Sequence, residues 1–359
     1  MRNFWAELPK PFFVLAPLAN VTDAAFRRII AKYSKVEGGV PYVTYTEFVS
    51  ADGLALANKE GEAKLMRDLM FSEAERPIVA QFFTSNPAHM EDAAALAQEL
   101  GFDGVDINMG CPDKSIEKQG GGAALIKNSS LAITIIEAAR RGAPNLPISV
   151  KTRIGYNKDT LEEWLPALLS AKPDVITVHA RTRKEMSKVP ARWERVKRAV
   201  EIRNELGSKT LIVGNGDLVD MVDAEAKIKE SGADGAMLGR AIFGKPWLFA
   251  PEKLLEQKSG ATSGDSPEGG PPRTFGQEVF PEPLLETRLH IAVEHAKLFE
   301  ELLGDIKNFA IMKKHFKAYA EGFPGAKELR MKLMETNSAK EIEDSVENFL
   351  VCNKNRIDV

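Results

Sequence analysis

The chain has 359 residues, 44% of them hydrophobic and 28% charged, which supplies a large core and excludes disordered and collagen-like classes. Its 48 Lys and Arg against 51 Asp and Glu give a net charge of −3, so no global positive excess announces a nucleic-acid partner, although a local basic patch is compatible with it. Two cysteines, Cys111 and Cys352, are too few for a disulfide framework or a cysteine-rich zinc site and suit a reducing cytoplasm. The N-terminal apolar stretch 12–15 is short and is followed at once by Pro17. No uncharged stretch approaches the roughly 18 apolar residues of a membrane span. A soluble, intracellular, cytoplasmic protein is expected.

In chain order, β-rich apolar runs lie at 13–16, 42–49, 78–83, 104–109, 148–154, 175–179, 210–213 and 235–238. Segments with helical spacing lie at 23–33, 60–70, 87–100, 129–141, 159–171, 193–206, 220–231 and 247–257. Thr22-Asp23, Asn86-Pro87 and Asn128-Ser129 are start signals, and Gly101, Gly142, Gly207 and Gly232 are stop signals. Eight strand–helix units in about 250 residues, with no GxGxxG after the first strand, favour a closed barrel over a doubly wound sheet. The predicted fold is α/β, a (β/α)8 TIM barrel over 1–257 followed by a C-terminal all-helical domain over 284–359. Between them, 258–283 is rich in Gly, Pro and Ser and reads as a linker or insertion.

Polar residues gather near the C-terminal ends of the predicted strands: Gln81, Asp106, Asn108, Lys151, Arg153, His179, Asn215 and Arg240. That end of a barrel is where chemistry sits. Period-two alternation puts Lys151 and Arg153 on one face, and Asp106 and Asn108 on one face. Charges pointing inward need a bound anion, a cofactor or a counter-charge, and an interior salt bridge between Asp106 and Lys151 is the plainer alternative. Cys111 follows the fourth strand at the start of a loop that ends Gly120-Gly121-Gly122, a lid-like composition. Gly214-Asn215-Gly216-Asp217 and Gly239-Arg240 match a barrel phosphate site, although glycines also serve turn geometry alone. His179, one of five histidines, stands beside Arg181 and Arg183 and suits a phosphate or a flavin. With no HExxH motif and no second histidine near it, no metal site is expected.

Ala16-Pro17-Leu18-Ala19-Asn20-Val21-Thr22-Asp23, Asp106-Ile107-Asn108-Met109-Gly110-Cys111-Pro112, Val150-Lys151-Thr152-Arg153-Ile154-Gly155, His179-Ala180-Arg181-Thr182-Arg183 and Gly214-Asn215-Gly216-Asp217 closely resemble motifs of the tRNA-dihydrouridine synthases. The resemblance runs over about 12–350 and includes Met312-Lys313-Lys314-His315 and Gly322-Phe323-Pro324-Gly325-Ala326. The Asn-Met-Gly-Cys-Pro segment is its most specific part. The resemblance implies an FMN-bearing barrel with a helical tRNA-binding domain, reducing the C5=C6 bond of uridine with NADPH or NADH as electron donor. Carried over by motif, Pro17, Leu18, Ala19, Gln81, Lys151, His179, Asn215, Gly216, Asp217, Gly239 and Arg240 would contact FMN. Cys111 would be the proton donor, and Asn108, Lys151, Arg153 and Arg183 would hold the uracil and nearby phosphate. Where the family commonly has Met-Ala-Gly, this chain has Leu18-Ala19-Asn20.

The chemistry is consistent with these residue types. A cation such as Lys151 suits the N1–O2 edge of a flavin, and Cys111 can protonate C5 only as a thiol, so its pKa is expected not to be strongly depressed. In the tail, 307–332 holds seven Lys and Arg (307, 313, 314, 317, 327, 330 and 332) against Glu321 and Glu328, an RNA face or a solvated helix face. Competing readings are a flavin barrel enzyme acting on a free pyrimidine, a Schiff-base aldolase using Lys151, and a non-catalytic RNA-binding protein. The expected partner is tRNA, with no membrane or metal and a monomeric state.

Overall fold

The computed structural model describes residues 3–35, 40–250 and 285–357, with side chains as far as 353. Eight strands form one closed barrel in chain order: β1 (Phe12–Leu15), β2 (Tyr42–Ser50), β3 (Ile78–Phe83), β4 (Gly104–Met109), β5 (Ile148–Arg153), β6 (Val175–His179), β7 (Leu211–Asn215) and β8 (Gly235–Leu238). All pair in parallel, and β1 closes on β8 with Phe12 opposite Gly235 and Leu15 opposite Leu238. Strands β1, β3, β4 and β8 are buried along their whole length. They therefore read as largely apolar runs, as strands of a parallel sheet covered on both faces do, interrupted by Gln81, Asp106 and Asn108.

The register positions the polar ends. Gln81 lies opposite Asp106, Asn108 opposite Lys151, Arg153 opposite His179, and His179 opposite Asn215. Helices follow the strands at Ala24–Ser34, Lys59–Asp68, Pro87–Glu99, Ser129–Gly142, Leu161–Ser170, Trp193–Glu205 and Met221–Ser231. Asn86 and Asn128 cap theirs by accepting from the N–H groups of Ala88 and Leu131. Gly142 does not end its helix in a left-handed turn. It is the last helical residue, and a Cβ there would lie 2.0 Å from the Glu91 carbonyl oxygen, so the glycine permits close helix contact. Of the expected helix 247–257, residues 247–250 form turns instead, and the rest lies outside the described residues.

The chain divides into two compact units. The first, Met1–Arg28 with Pro41–Ile242, contains the barrel. The second comprises Ile29–Val40 and Phe243–Val359. Its helices include Leu285–Leu303, Lys313–Tyr319, Ala326–Glu335 and Ala339–Ile357, around a core that includes Leu289, Phe299, Phe316, Leu333 and Ile342. Within this unit Glu294 accepts from Lys32 Nζ at 2.5 Å and from Tyr33 Oη at 2.7 Å. The expected linker 258–283 lies outside the described residues. No helix of the described residues is long and apolar enough to cross a membrane.

One buried ion pair ties a strand-end loop to the barrel wall. Arg27 Nε donates to Glu75 at 2.7 Å with both side chains fully buried, and Arg27 Nη1 donates to the Thr22 carbonyl at 2.9 Å. Thr22 Oγ1 in turn accepts from the Leu18 N–H at 2.8 Å. Replacing Glu75 with Ala strands a buried guanidinium, so the variant is expected to lose about 3–5 kcal/mol of stability, read from urea unfolding.

Candidate active site

At the C-terminal ends of the strands lies a cleft of about 290 Å³. Pro17, Leu18 and Ala19 after β1, Asn108 on β4, Cys111 after it, Lys151 and Arg153 on β5, His179 on β6, Asn215, Gly216 and Asp217 at β7, and Gly239 and Arg240 after β8 all line it. Gln81 and Arg183 do not. Gln81 is fully buried and hydrogen-bonded to Asp106 and Asn108. The Arg183 guanidinium forms a two-pronged ion pair with Glu117, with Nε 2.6 Å from Oε1. Its Cζ also lies 5.3 Å from the centre of the Tyr156 ring.

Lysine and arginine outnumber acids in the cleft. Lys151, Arg153, Arg181 and Arg240 face Asp217, the only lining carboxylate among the described residues. Lys151 Nζ donates to Asn215 Oδ1 at 3.2 Å, and burial, reinforced by the Arg153 charge, pulls its pKa down to about 8. Burial likewise lowers Arg153 to about 10. Its guanidinium holds three carbonyls, those of Gly110 at 2.8 Å, Thr182 at 3.1 Å and Met186 at 3.0 Å. His179 is pushed well below the usual imidazole range, by burial first and then by the charges of Arg153 and Lys151, so it is neutral. Arg181 Nη1 lies 3.2 Å from His179 Nε2, which as the acceptor leaves the ring proton on Nδ1. Asp217 pairs with both Arg181 and Arg240, the latter at 2.7 Å, and these contacts outweigh its burial to hold its pKa low.

The salt bridge between Asp106 and Lys151 does not form. The fully buried Asp106 carboxylate accepts instead from Gln81 Nε2 at 2.7 Å and Ser149 Oγ at 2.6 Å. Burial raises its pKa to about 6 against those hydrogen bonds. Cys111 is half-buried, and burial pushes its thiol above the ordinary cysteine range, so it stays protonated at neutral pH. Its loop is folded rather than open. The Cys111 N–H donates to Asn108 Oδ1 at 2.9 Å, and its carbonyl accepts from Ala123 N at 2.9 Å. Asp113 caps a short helix, Lys114–Lys118. Gly122 packs with φ +57°, and a Cβ there would sit 2.8 Å from the Cys111 carbonyl oxygen.

The family model for dihydrouridine synthase (Dus) matches residues 14–355. The chain belongs to the dihydrouridine synthase family. A protein of Staphylococcus aureus (strain COL) named "Probable tRNA-dihydrouridine synthase" is 35% identical over 349 residues, spanning 97% of this chain and 95% of the relative. "Probable tRNA-dihydrouridine synthase 2" of Bacillus subtilis (strain 168) is 35% identical over 348 residues, spanning 97% and 96% of the two chains.

In this dihydrouridine synthase family member, residues that sequence reasoning did not assign also shape the cleft. Phe48 and Met237 supply apolar wall, and Phe48 meets Phe83 edge-on at 5.7 Å between ring centres. Arg181 is buried between His179 and Asp217. Its nearness to His179 in sequence was visible, but its pairing with Asp217 in the turn after β7 was not. Among the described residues no cluster of three or more His, Cys, Asp and Glu could hold a metal ion.

Because the Asp106 carboxyl titrates near pH 6 when folded and near 3.8 ordinarily, the folded protein binds more protons than the unfolded chain between these values. Stability therefore falls as pH rises through that window. Asp106→Asn removes the buried charge and is expected to raise stability by about 1–3 kcal/mol at pH 7.5. The gain should vanish toward pH 4, as measured by urea unfolding across pH.

Proposed function

We propose that this protein reduces the C5=C6 bond of uridines in tRNA to 5,6-dihydrouridine, with FMN held in the barrel cleft and NADPH as electron donor. The observation that carries this reading is a protonated, half-buried thiol at the mouth of a cation-rich cleft, in a chain of the dihydrouridine synthase family. The donor set suits a planar anionic cofactor. Leu18, Phe48 and Met237 offer apolar surface, and Lys151, Arg181 and Arg240 offer positive charge. Gly216, at φ +127°, lets the backbone approach Ala191 and His179 closely, since a Cβ there would lie 2.8 Å from Ala191 Cβ and 3.3 Å from the imidazole. When bound, FMN supplies the hydride that adds at uracil C6.

The protein's own residues would then divide the remaining work. Lys151, braced by Asn215, would hold the edge of the ring where negative charge gathers. Neutral His179, the backbone N–H groups of Gly216, Asp217 and Gly239, and the Arg240 guanidinium would hold the phosphate, and Pro17, Leu18 and Ala19 would pack on the ring system. Gln81 is sealed beneath the cleft and acts through Asn108. Cys111 would give its proton to C5, and burial keeps that proton on Sγ at neutral pH. Arg153 supports the Cys111 turn through the Gly110 carbonyl. Arg183 would reach a substrate phosphate by exchanging its Glu117 partner.

A uridine in folded tRNA must leave its stack to enter such a cleft. Exposed Lys314, Lys317, Lys327 and Lys332 on the second unit suit the phosphate backbone. Cys111→Ala is expected to retain the flavin absorption yet lose about 10²–10⁴-fold in dihydrouridine formation, measured by mass spectrometry of digested tRNA. Wild-type rates in this variant would remove Cys111 from the reaction.

A further inference from the structure

A continuous hydrogen-bond chain runs from the barrel interior to the Cys111 turn. The Tyr45 hydroxyl meets Ser149 Oγ at 3.3 Å, and Ser149 Oγ donates to Asp106 Oδ1 at 2.6 Å. Gln81 Nε2 donates to Asp106 Oδ2 at 2.7 Å, and Asn108 Nδ2 donates to Gln81 Oε1 at 3.1 Å. Asn108 Oδ1 then accepts from the N–H groups of Gly110 at 3.1 Å and Cys111 at 2.9 Å. Tyr45, Gln81, Asp106 and Ser149 are fully buried and shielded from bulk water, and Asn108 is the member that reaches the cleft.

The direction of this chain is forced at both ends. Backbone N–H groups can only donate, so Asn108 must turn its oxygen to them and its NH₂ to Gln81. Gln81 must then turn its oxygen to Asn108 and its NH₂ to Asp106, which has to accept. An ionised carboxylate is an acceptor at both oxygens and meets that requirement from either rotamer. A group that cannot accept at this position leaves the Gln81 amide free to invert. An inverted Gln81 faces Asn108 with a donor, and an inverted Asn108 in turn faces two N–H donors with a third.

We propose that Asp106 is a positioning residue for the reaction: by accepting from Gln81 it fixes the orientation of two carboxamides, and through them the turn that carries the Cys111 thiol. This rests on the reading of Cys111 as proton donor. Asp106 does not itself line the cleft, and its hydrogen-bond partners are Gln81 and Ser149 rather than the thiol. Its effect is on where Sγ stands, and a small misplacement of a reacting group is costly.

The test compares Asp106→Leu, which cannot accept, with Asp106→Asn, which can keep an oxygen toward Gln81 while its NH₂ faces Ser149 Oγ. Two quantities are read in the purified full-length protein: steady-state dihydrouridine formation, and the iodoacetamide alkylation rate of Cys111, separated from exposed Cys352 by peptide mass spectrometry. Asp106→Leu is expected to lower kcat roughly 10- to 100-fold with KM for tRNA nearly unchanged, and to shift the Cys111 alkylation rate several-fold. Asp106→Asn should restore both toward wild type. A folded Asp106→Leu protein with wild-type kcat and alkylation rate would overturn the proposal, as would an Asn variant no better than Leu. If Asp106→Leu does not fold, Gln81→Met, which breaks the chain one link later, takes its place in the alkylation comparison. Absence of dihydrouridine formation in the wild-type protein would count against the reductase reading, while the alkylation rates would still test the positioning role.

Discussion

Positive charge held inside the mouth of a barrel must be balanced, and the organisation of this site follows from how that balance is struck. Lys151 and Arg153 leave β5 on one face, two residues apart, and the register brings His179 and Asn215 beside them. Among the described residues the lining counter-charge there is a single carboxylate, Asp217, already committed to Arg181 and Arg240. Lys151 is left with a neutral amide as its hydrogen-bond partner, and burial, reinforced by the Arg153 charge, lowers its pKa. His179 stays neutral through burial first and then through the neighbouring positive charges. Such a cleft is poised for an anionic ligand, whose charge would relieve a desolvation cost the fold already bears.

The carboxylate that might have answered Lys151 is used elsewhere. Asp106 lies opposite Ser149 on β5 and accepts from two neutral donors, Ser149 and Gln81, while its charge acts on Lys151 only through space. Positive charge is thereby kept available at the cleft, and the acid is given to the scaffold beneath Cys111. The Cys111 turn is held from three directions: by Asn108 through two backbone N–H groups, by Arg153 through the Gly110 carbonyl, and by Ala123 through the Cys111 carbonyl. In the proposed reaction a thiol presenting its proton to one carbon atom would need this restraint more than acidity.

Much of the barrel was legible in the sequence because parallel strands covered on both faces appear as short apolar runs, and each of the eight expected runs contains or overlaps a strand. The edges were less legible where a strand ends in polar residues. β7 extends to Asn215 because Gly214 and Asn215 pair with Val178 and His179, a match visible only between strands. The helices Ala51–Leu56 and Lys114–Lys118 are too short for a 3.6-residue period to register. The site residues were legible as a set, since strand ends in a barrel converge, but their partners were not. Glu117 binding Arg183 spans 66 positions and Ser149 binding Asp106 spans 43. The grouping of Ile29–Val40 with the second unit rests on similarly distant contacts, such as Tyr33 with Glu294.

The most direct measurement is an anaerobic absorption experiment on the purified protein, adding NADPH first and unmodified tRNA second. The account predicts a flavin band that bleaches with NADPH and returns only when tRNA is supplied, with dihydrouridine appearing in step. A protein that binds no flavin even when FMN is added, or a reduced flavin indifferent to tRNA, would contradict it.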